Sequence, residues 1–429
     1  MNKLVILLLP FLAFGSACSV PEREASSQGF DDLVAAYYGS MLWDEGSSPV
    51  RFIMLCNAKF RANPHLSECP GVSSEPAWLD AVSQSLINLW KGNPEPTQNL
   101  VVELKEHGHP AWSTALELEL NSILWDQQAL GKQLNSITEI APLLVYKQSH
   151  LSANCQWDSL NVFLGGLRPV DSVEEFIVLL GQAGVSYRMG DADRLSATLE
   201  KMRSDYGHLL EFRLAEQQLA FLTDGELRMN EIRRQVFRDF RGHHTMRYSL
   251  LLEQVFSAEE EGFSSEAQGK AISRYLKHYG KDVLSVLRVG LEFAHYGFWD
   301  QFDLVAEHLR DQPSGLEDFL MMKVLRAYQA FHAGETDTAL QWLSAALEMA
   351  PMSRDVNLAT IRISERSNKA GPWERAVLSL MECEPFEVES LVFLRIFLNH
   401  HESRDAYEWL NHARQYRHLY SPLVQQLLQ

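Results

Sequence analysis

Apolar residues recur every three or four positions along most of the chain after residue 30, which is the spacing of one buried helix face. Runs that alternate strictly between apolar and polar residues, and would predict strands, are scarce. Prolines break residues 30–170 into short helical pieces, whereas residues 171–429 contain longer helical stretches. The pattern predicts an all-α protein.

In the second half of the chain, glycines separate the helical stretches at nearly regular intervals. The spacings are 35, 37, 35, 37 and 37 residues, and an acidic residue follows each glycine within four positions. Glycine adopts the left-handed conformation that ends many helices, and acidic residues favour the start of the next helix. The pattern therefore predicts repeated helix pairs. The glycines are Gly190, Gly225, Gly262, Gly297, Gly334 and Gly371.

The clearest pair occupies residues 320–351. It has small residues at Ala327, Ala339 and Ala346, where two helices would approach closely. This segment resembles a tetratricopeptide repeat, whose period is about 34 residues. For residues 171–429 the resemblance implies a TPR-like α-solenoid of stacked helix pairs, because one pair cannot bury its apolar face alone. Such a stack presents a groove that binds partner proteins.

Residues 30–170 show no such spacing and predict an irregular helical N-terminal domain. Aromatic side chains dominate the burial of protein cores, so we expect its tryptophans to lie mainly in the core. The alternative is stacking against sugar rings near a cell wall. These six of the ten tryptophans are Trp43, Trp78, Trp90, Trp112, Trp125 and Trp157.

The N-terminus has the pattern of an export signal. Lys3 precedes an apolar run over residues 4–14, which is too short to cross a bilayer. Residues 15–17, Gly-Ser-Ala, then precede Cys18. This resembles the lipobox of bacterial lipoproteins, although Gly15 stands where that family usually has Leu. The resemblance implies that Cys18 is lipidated and becomes the new N-terminus, and that Ser19 after it favours the outer membrane.

The expected organisation follows from these patterns. A signal peptide occupies residues 1–17, a flexible lipid tether residues 18–29, the Trp-rich helical domain residues 30–170 and the TPR-like array residues 171–429. An ordinary signal peptide cut near Ala17 is the alternative. We expect the protein in the envelope of a Gram-negative-type bacterium, as an outer-membrane lipoprotein facing either side.

The net charge of the chain and the catalytic motifs that it lacks limit the classes of function. The formal net charge of −18 disfavours binding to nucleic acid and anionic lipid. Motifs of zinc peptidases, serine hydrolases and phosphate-binding loops are missing, and the paired histidines do not share a helix face. We therefore expect no enzyme activity, no cofactor and no metal site.

One segment departs from the acidic balance. Residues 233–247 hold five arginines and two histidines against one acid, and three of the arginines share a helical face at i, i+4 and i+7. We interpret the segment as a docking patch for an acidic partner or a carboxylate. The alternative is a face of ion pairs with Glu253 and residues 259–261. The predicted partner-binding residues are Arg234, Arg238, Arg241, His244 and Arg247.

Four cysteines remain after Cys18. Cys56 and Cys69 enclose a short segment, and we expect a local disulfide between them. Cys155 and Cys383 would lie far apart in an extended array, so we expect Cys383 to be a buried thiol on an apolar helix face.

The favoured function is a membrane-anchored scaffold that binds an envelope protein through its repeat groove, with the lipid as its membrane contact. A second possible function is that of a binding protein, an enzyme or an accessory factor of an enzyme that acts on the cell wall or on a polysaccharide. A third is a structural subunit of an envelope assembly or secretion complex. The missing catalytic motifs favour the first and third readings, and nothing in the sequence separates these two.

Overall fold

A computed structural model describes residues 28–39, 41, 43, 47–69, 78–137, 143–260, 265–310, 314–367 and 369–429. The predicted signal peptide, Cys18, most of the tether and Gly262 lie outside the described residues.

Regular structure in the described part of the chain is helical, which confirms the all-α prediction. It comprises 23 α-helices, a π-helix at Leu143–Lys147 and 3-10 turns at His244–Met246, Ser314–Asp318 and Arg417–Leu419. The α-helices are α1 Phe30–Tyr38, α2 Pro49–Ala62, α3 Trp78–Trp90, α4 Glu95–Glu106, α5 Pro110–Leu124, α6 Gln127–Leu134, α7 Gln148–Ala153, α8 Trp157–Gly166, α9 Ser172–Arg188, α10 Ala192–Tyr206, α11 Leu210–Asp224, α12 Glu226–Asp239, α13 Arg247–Glu260, α14 Ser265–Tyr279, α15 Val283–Tyr296, α16 Trp299–Arg310, α17 Leu320–His332, α18 Thr336–Met349, α19 Arg354–Ser367, α20 Ala370–Cys383, α21 Val388–His400, α22 Arg404–Gln415 and α23 Pro422–Leu427.

The chain divides into two compact units, each built from two stretches of sequence. Unit 1 contains the described residues up to Pro110 together with Arg234–Leu316. Unit 2 contains Ala111–Arg233 and Glu317–Gln429. The chain passes from one unit to the other after residues 110, 233 and 316. These boundaries differ from the one at residue 170 that the sequence predicts, because each unit contains helices from both halves of the chain.

Unit 1 has a core of large aromatic and aliphatic side chains. Phe60 on α2 packs against Trp90 at the end of α3, with ring centroids 5.5 Å apart. Leu287 on α15 and Phe302 on α16 are fully buried in the same unit. Burial of such side chains contributes about 1.5–3 kcal/mol each, so this core stabilises the unit.

In unit 2, consecutive helices pack in pairs. The pair α17 and α18 corresponds to the predicted repeat at 320–351, and Ala327, Ala339 and Ala346 are all fully buried in it. Alternate helices also touch, as α9 does with α11 and α17 with α19. Stacked helix pairs give this pattern of contacts, while the finer prediction of a TPR-like superhelix stays a prediction.

A single type of helix end recurs in both units. A residue in the left-handed conformation follows the helix, and the next residue donates its N–H to the carbonyl five positions back, as in Glu335 to Ala330 at 2.8 Å. This is the Schellman arrangement, which satisfies carbonyls at the helix end. The left-handed residues are Gly92, Gly108, Trp125, Cys155, Gly190, Gly297 and Gly334.

The predicted glycine turns are confirmed at four of six positions. Gly190, Gly225, Gly297 and Gly334 have φ between 70° and 84° and lie between helices. Gly371 instead lies inside the first turn of α20, so its predicted role as a helix stop is wrong. Trp125 and Cys155 adopt φ of 62° and 54°, which few non-glycine residues do, and glycine spacing therefore gave no sign of these two turns.

The expectation that Cys383 is a thiol far from Cys155 is wrong. The two residues form a disulfide, with Cα atoms 5.1 Å apart. Both lie in unit 2, where the left-handed turn after α7 meets the C-terminal end of α20. The indole N–H of Trp157 donates to the Glu382 carbonyl at 3.2 Å beside this bond. An extended array would separate these segments, and the discontinuous unit brings them together.

The expected bridge between Cys56 and Cys69 is absent. Both are buried thiols, and their side chains are hydrogen-bonded to each other. Burial raises the pKa of Cys56, and the hydrogen bond from Cys56 lowers the pKa of Cys69. The structure therefore contains a pair of neighbouring thiols in place of the expected disulfide.

Candidate interaction surface

The arginine face is defined by Arg234, Arg238 and Arg241, all of which are exposed. Val236 and Phe240 are buried, with 1% and 6% of their surface accessible. At about 100° per residue, Arg234 and Arg238 lie on the side of α12 opposite to Val236. Burial of Val236 therefore turns Arg234 and Arg238 toward solvent.

The ion pair of Arg238 is exposed to solvent. Arg238 has its guanidinium 3.7 Å from the carboxylate of Asp239, and the two side chains are 72% and 49% exposed. Exposed pairs of this kind contribute about 0–1 kcal/mol, so a partner carboxylate can compete for the guanidinium. The alternative pairing with Glu253 and residues 259–261 falls on side chains outside the described part.

The structure removes His244 and Arg247 from the predicted docking patch. The imidazole Nε2–H of His244 donates to Asp31 at 2.7 Å. The guanidinium of Arg247 lies 4.6 Å from the ring centroid of Tyr279. Both side chains are half-buried and are used in internal contacts of unit 1. The patch is therefore reduced to the arginine face.

The two carboxylates that bind His243 and His244 are not signalled by the sequence. Asp31 and Asp32 lie in the first turn of α1, more than 200 positions away from His243 and His244. Each histidine donates to one of the two carboxylates. No sequence spacing signals this pairing, since it depends on how the two stretches of unit 1 come together.

A second cluster that the sequence did not indicate surrounds Glu384 in unit 2. Its carboxylate is 3.5 Å from the guanidinium of Arg354 and 4.0 Å from that of Arg188. Burial raises the pKa of Glu384 to about 7, the two arginines oppose this rise, and Glu387 adds to it. Arg354 also bonds Glu389 at 2.6 Å. The cluster ties α9 and α19 to the segment after α20.

The six N-terminal tryptophans lie in or against the cores of the units. Trp43, Trp90 and Trp112 are at most 4% accessible, and the other three are half-buried. Trp78 packs on His109, with ring centroids 4.7 Å apart. The expectation of core packing is confirmed for Trp43, Trp90 and Trp112.

The described residues contain no group of three or more histidines, cysteines or acids arranged to hold a metal ion. Asp191 accepts the backbone N–H of Arg194 at 3.0 Å, so it acts as a helix cap, as expected. In the same part of the chain, no helix combines the length and apolar character that a membrane span requires.

Comparison of the chain with protein-family models and with curated proteins finds no match.

Proposed function

We propose that this protein is a membrane-anchored lipoprotein of the bacterial envelope that acts as an interaction scaffold, and that it docks an acidic partner protein on the arginine face. The observation that carries the proposal is the exposure of Arg234 and Arg238 on one side of α12 and of Arg241 in the turn that follows the helix. The chain as a whole has a net charge of −18. A local cationic face on such a chain selects for a partner with a complementary acidic patch.

The chemistry of the face favours carboxylates. A guanidinium presents a planar fork of N–H donors that matches a carboxylate in a bidentate geometry. Arg234 and Arg238 are one helical turn apart, which is about 5–6 Å between Cβ atoms. That spacing matches acids placed one turn apart on a partner helix, so an acidic helix is the form of partner that fits.

The anchor part of the proposal rests on the resemblance of residues 15–18 to a lipobox. A TPR-like stack of helix pairs would supply the rigid support of a scaffold. Whether the finished protein faces the periplasm or the cell exterior depends on its route across the envelope and not on the arginine face.

The first experiment is a pull-down of the full-length protein from its own envelope in mild detergent, with partners identified by mass spectrometry. We expect one stoichiometric protein with a clustered acidic surface, whose recovery falls as salt is raised, because ions screen exposed charges. A protein that elutes alone, or a partner whose recovery is indifferent to salt, would contradict docking on the arginine face.

The anchor is tested separately by Cys18→Ala. We expect the wild-type protein in the membrane fraction and the variant in the soluble fraction. Cys56→Ala is the matched control, because it removes a thiol outside the lipobox and should leave the membrane fraction unchanged. A Cys18→Ala protein that stays with membranes after a high-salt wash would contradict anchoring by a lipid.

A further inference from the structure

Two adjacent histidines in unit 1 bond two adjacent aspartates. The Nε2–H of His243 donates to Asp32 at 3.0 Å, and that of His244 donates to Asp31 at 2.7 Å. The two imidazole rings stack with centroids 4.3 Å apart. We call these four residues the His–Asp clamp.

The clamp joins the start of α1 to the turn around residues 243–246. Asp32 also accepts the backbone N–H of Gly29 at 2.8 Å, so the same carboxylate helps to begin the helix. α1 is only nine residues long. An isolated helix of this length is marginal in water, and α1 therefore depends on tertiary contacts such as the clamp.

Charged groups from two further helices face the clamp. Arg61, near the end of α2, has its guanidinium 3.6 Å from Asp31. Asp282, the N-cap of α15, accepts the backbone N–H of Ser285 at 3.2 Å, and burial raises its pKa. The hydrogen bonds from Ser285 oppose that rise most, and the charges of Arg61 and His244 oppose it further. The site thus contains three carboxylates, one arginine and two imidazoles.

The two imidazoles differ in their surroundings. The side chain of His243 is 3% exposed, whereas its partner Asp32 is 45% exposed. Burial and the neighbouring His244 lower the pKa of His243, and Asp32 and Asp31 offset this only in part. At Asp31, burial raises the pKa, but the hydrogen bond from His244 and the charge of Arg61 outweigh it and the pKa is lowered.

We propose that the His–Asp clamp is a pH-sensitive latch, which opens when acidification protonates His243 and thereby releases the first turn of α1 from the 243–246 turn. A proton on His243 places a cation in a buried site, against the stacked ring of His244. In the open state the same imidazole is hydrated and titrates normally. Acid therefore favours the open state. This inference does not depend on partner binding at the arginine face.

The direction follows from linkage. The pKa of His243 in the closed state lies below the ordinary value of 6.5. As the pH falls below 6.5 the open state binds the proton first, and the closed state loses stability until its own pKa is reached. Opening within this window increases by up to about tenfold per pH unit. The lowered pKa of Asp31 acts only at more acidic pH, below its usual 3.8.

Hydrogen exchange followed by mass spectrometry tests the latch on the full-length protein in detergent. Exchange of the α1 amides is compared at pH 7.5, 6.5 and 5.5 after correction for intrinsic rates. We expect protection of residues 30–38 to fall between pH 6.5 and 5.5 by up to about tenfold, while protection of α17 stays constant. Equal protection of α1 at all three pH values would overturn the proposal.

Two variants separate the latch from general acid sensitivity. His243→Gln places an amide N–H close to the Nε2 position but does not titrate, so the step in α1 protection should disappear. Asp32→Asn removes a charge that favours protonated His243 and so lowers the closed-state pKa further. Its loss of α1 protection should therefore begin at the same pH as in wild type and continue to lower pH. His208→Gln, which changes an exposed histidine of unit 2, is the matched control and should behave as wild type. A step that persists unchanged in His243→Gln would overturn the proposal.

Discussion

Cys155 and Cys383 are joined by a disulfide across 228 positions of sequence. Cys155 holds the left-handed position that ends one helix segment, and Cys383 is the last residue of α20. The bond therefore links two helix ends of unit 2. A covalent link that closes so long a loop removes many conformations from the unfolded chain.

Replacing both cysteines by alanine should lower the free energy of unfolding by about 2–4 kcal/mol, because the unfolded state regains its entropy. Urea unfolding of the wild-type and the Cys155→Ala/Cys383→Ala proteins measures this difference. Adding reductant should destabilise the wild type and leave the double variant unchanged.

Peptide mapping without reduction shows which cysteines are bonded to each other. We expect a linked peptide pair that contains Cys155 and Cys383. Recovery of a pair that contains Cys56 and Cys69, together with alkylated Cys383, would contradict this arrangement.

Gly334 provides a test of the helix-pair turns. Its φ is 84°, and no atom lies within 4 Å of the position that a Cβ would take. Gly334→Ala should therefore cost only the backbone strain, about 1–2 kcal/mol in the free energy of unfolding. Gly184 is the matched control, since it lies inside α9 and also has open space around it. Gly184→Ala should stabilise the protein by about 0.5–1 kcal/mol. Equal effects of the two changes would contradict the left-handed turn at Gly334.

Glu384 should make unit 2 more stable in mild acid than at neutral pH. Its pKa is raised to about 7 from the ordinary 4.5, chiefly by burial. As the pH rises from 4.5 to 7 the unfolded state ionises first, so the stability that this carboxyl contributes is lost across that window. The Glu384→Gln protein has no carboxyl at this position, so it does not lose this stability as the pH rises. The stability of the variant relative to wild type should therefore rise by roughly 1–3 kcal/mol between pH 4.5 and 7.

Denaturant unfolding at a series of pH values measures this relative stability. Glu408→Gln removes an exposed carboxylate that pairs with Arg404 and is the control for the loss of one negative charge. A flat difference for Glu384→Gln would show that Glu384 titrates normally in the folded protein.

The sequence predicted the helical content and most turns of the second half because these depend on local rules. Apolar spacing determines which face of a helix is buried, and glycine at Gly190, Gly297 and Gly334 provides the left-handed helix end. The turns at Trp125 and Cys155 escaped prediction because their residues rarely take that conformation. At these two positions the surrounding structure imposes the turn, so the conformational preference of the residue itself does not indicate it.

The sequence does not predict which segments of the chain form each of the two units. A repeat ladder suggests contacts between sequence neighbours, which is why Cys155 and Cys383 were expected to be distant. The clamp between His243 and Asp32 and the cluster at Glu384 likewise join residues far apart in sequence. By contrast, the exposure of Arg234 and Arg238 follows from helical periodicity alone, since Val236 between them is the buried position.

The most direct test of the account is the affinity of the recovered acidic partner for a protein altered only on the arginine face. The variant Arg234→Gln/Arg238→Gln/Arg241→Gln is compared with Arg203→Gln/Arg228→Gln/Arg404→Gln, which removes the same charge from three arginines that are 55%, 51% and 89% exposed. Equilibrium binding at low and high salt gives the dissociation constants. We predict that the arginine-face variant binds at least tenfold more weakly and loses most of its salt dependence, while the control variant binds as wild type. Equal affinity of the two variants would contradict docking on the arginine face.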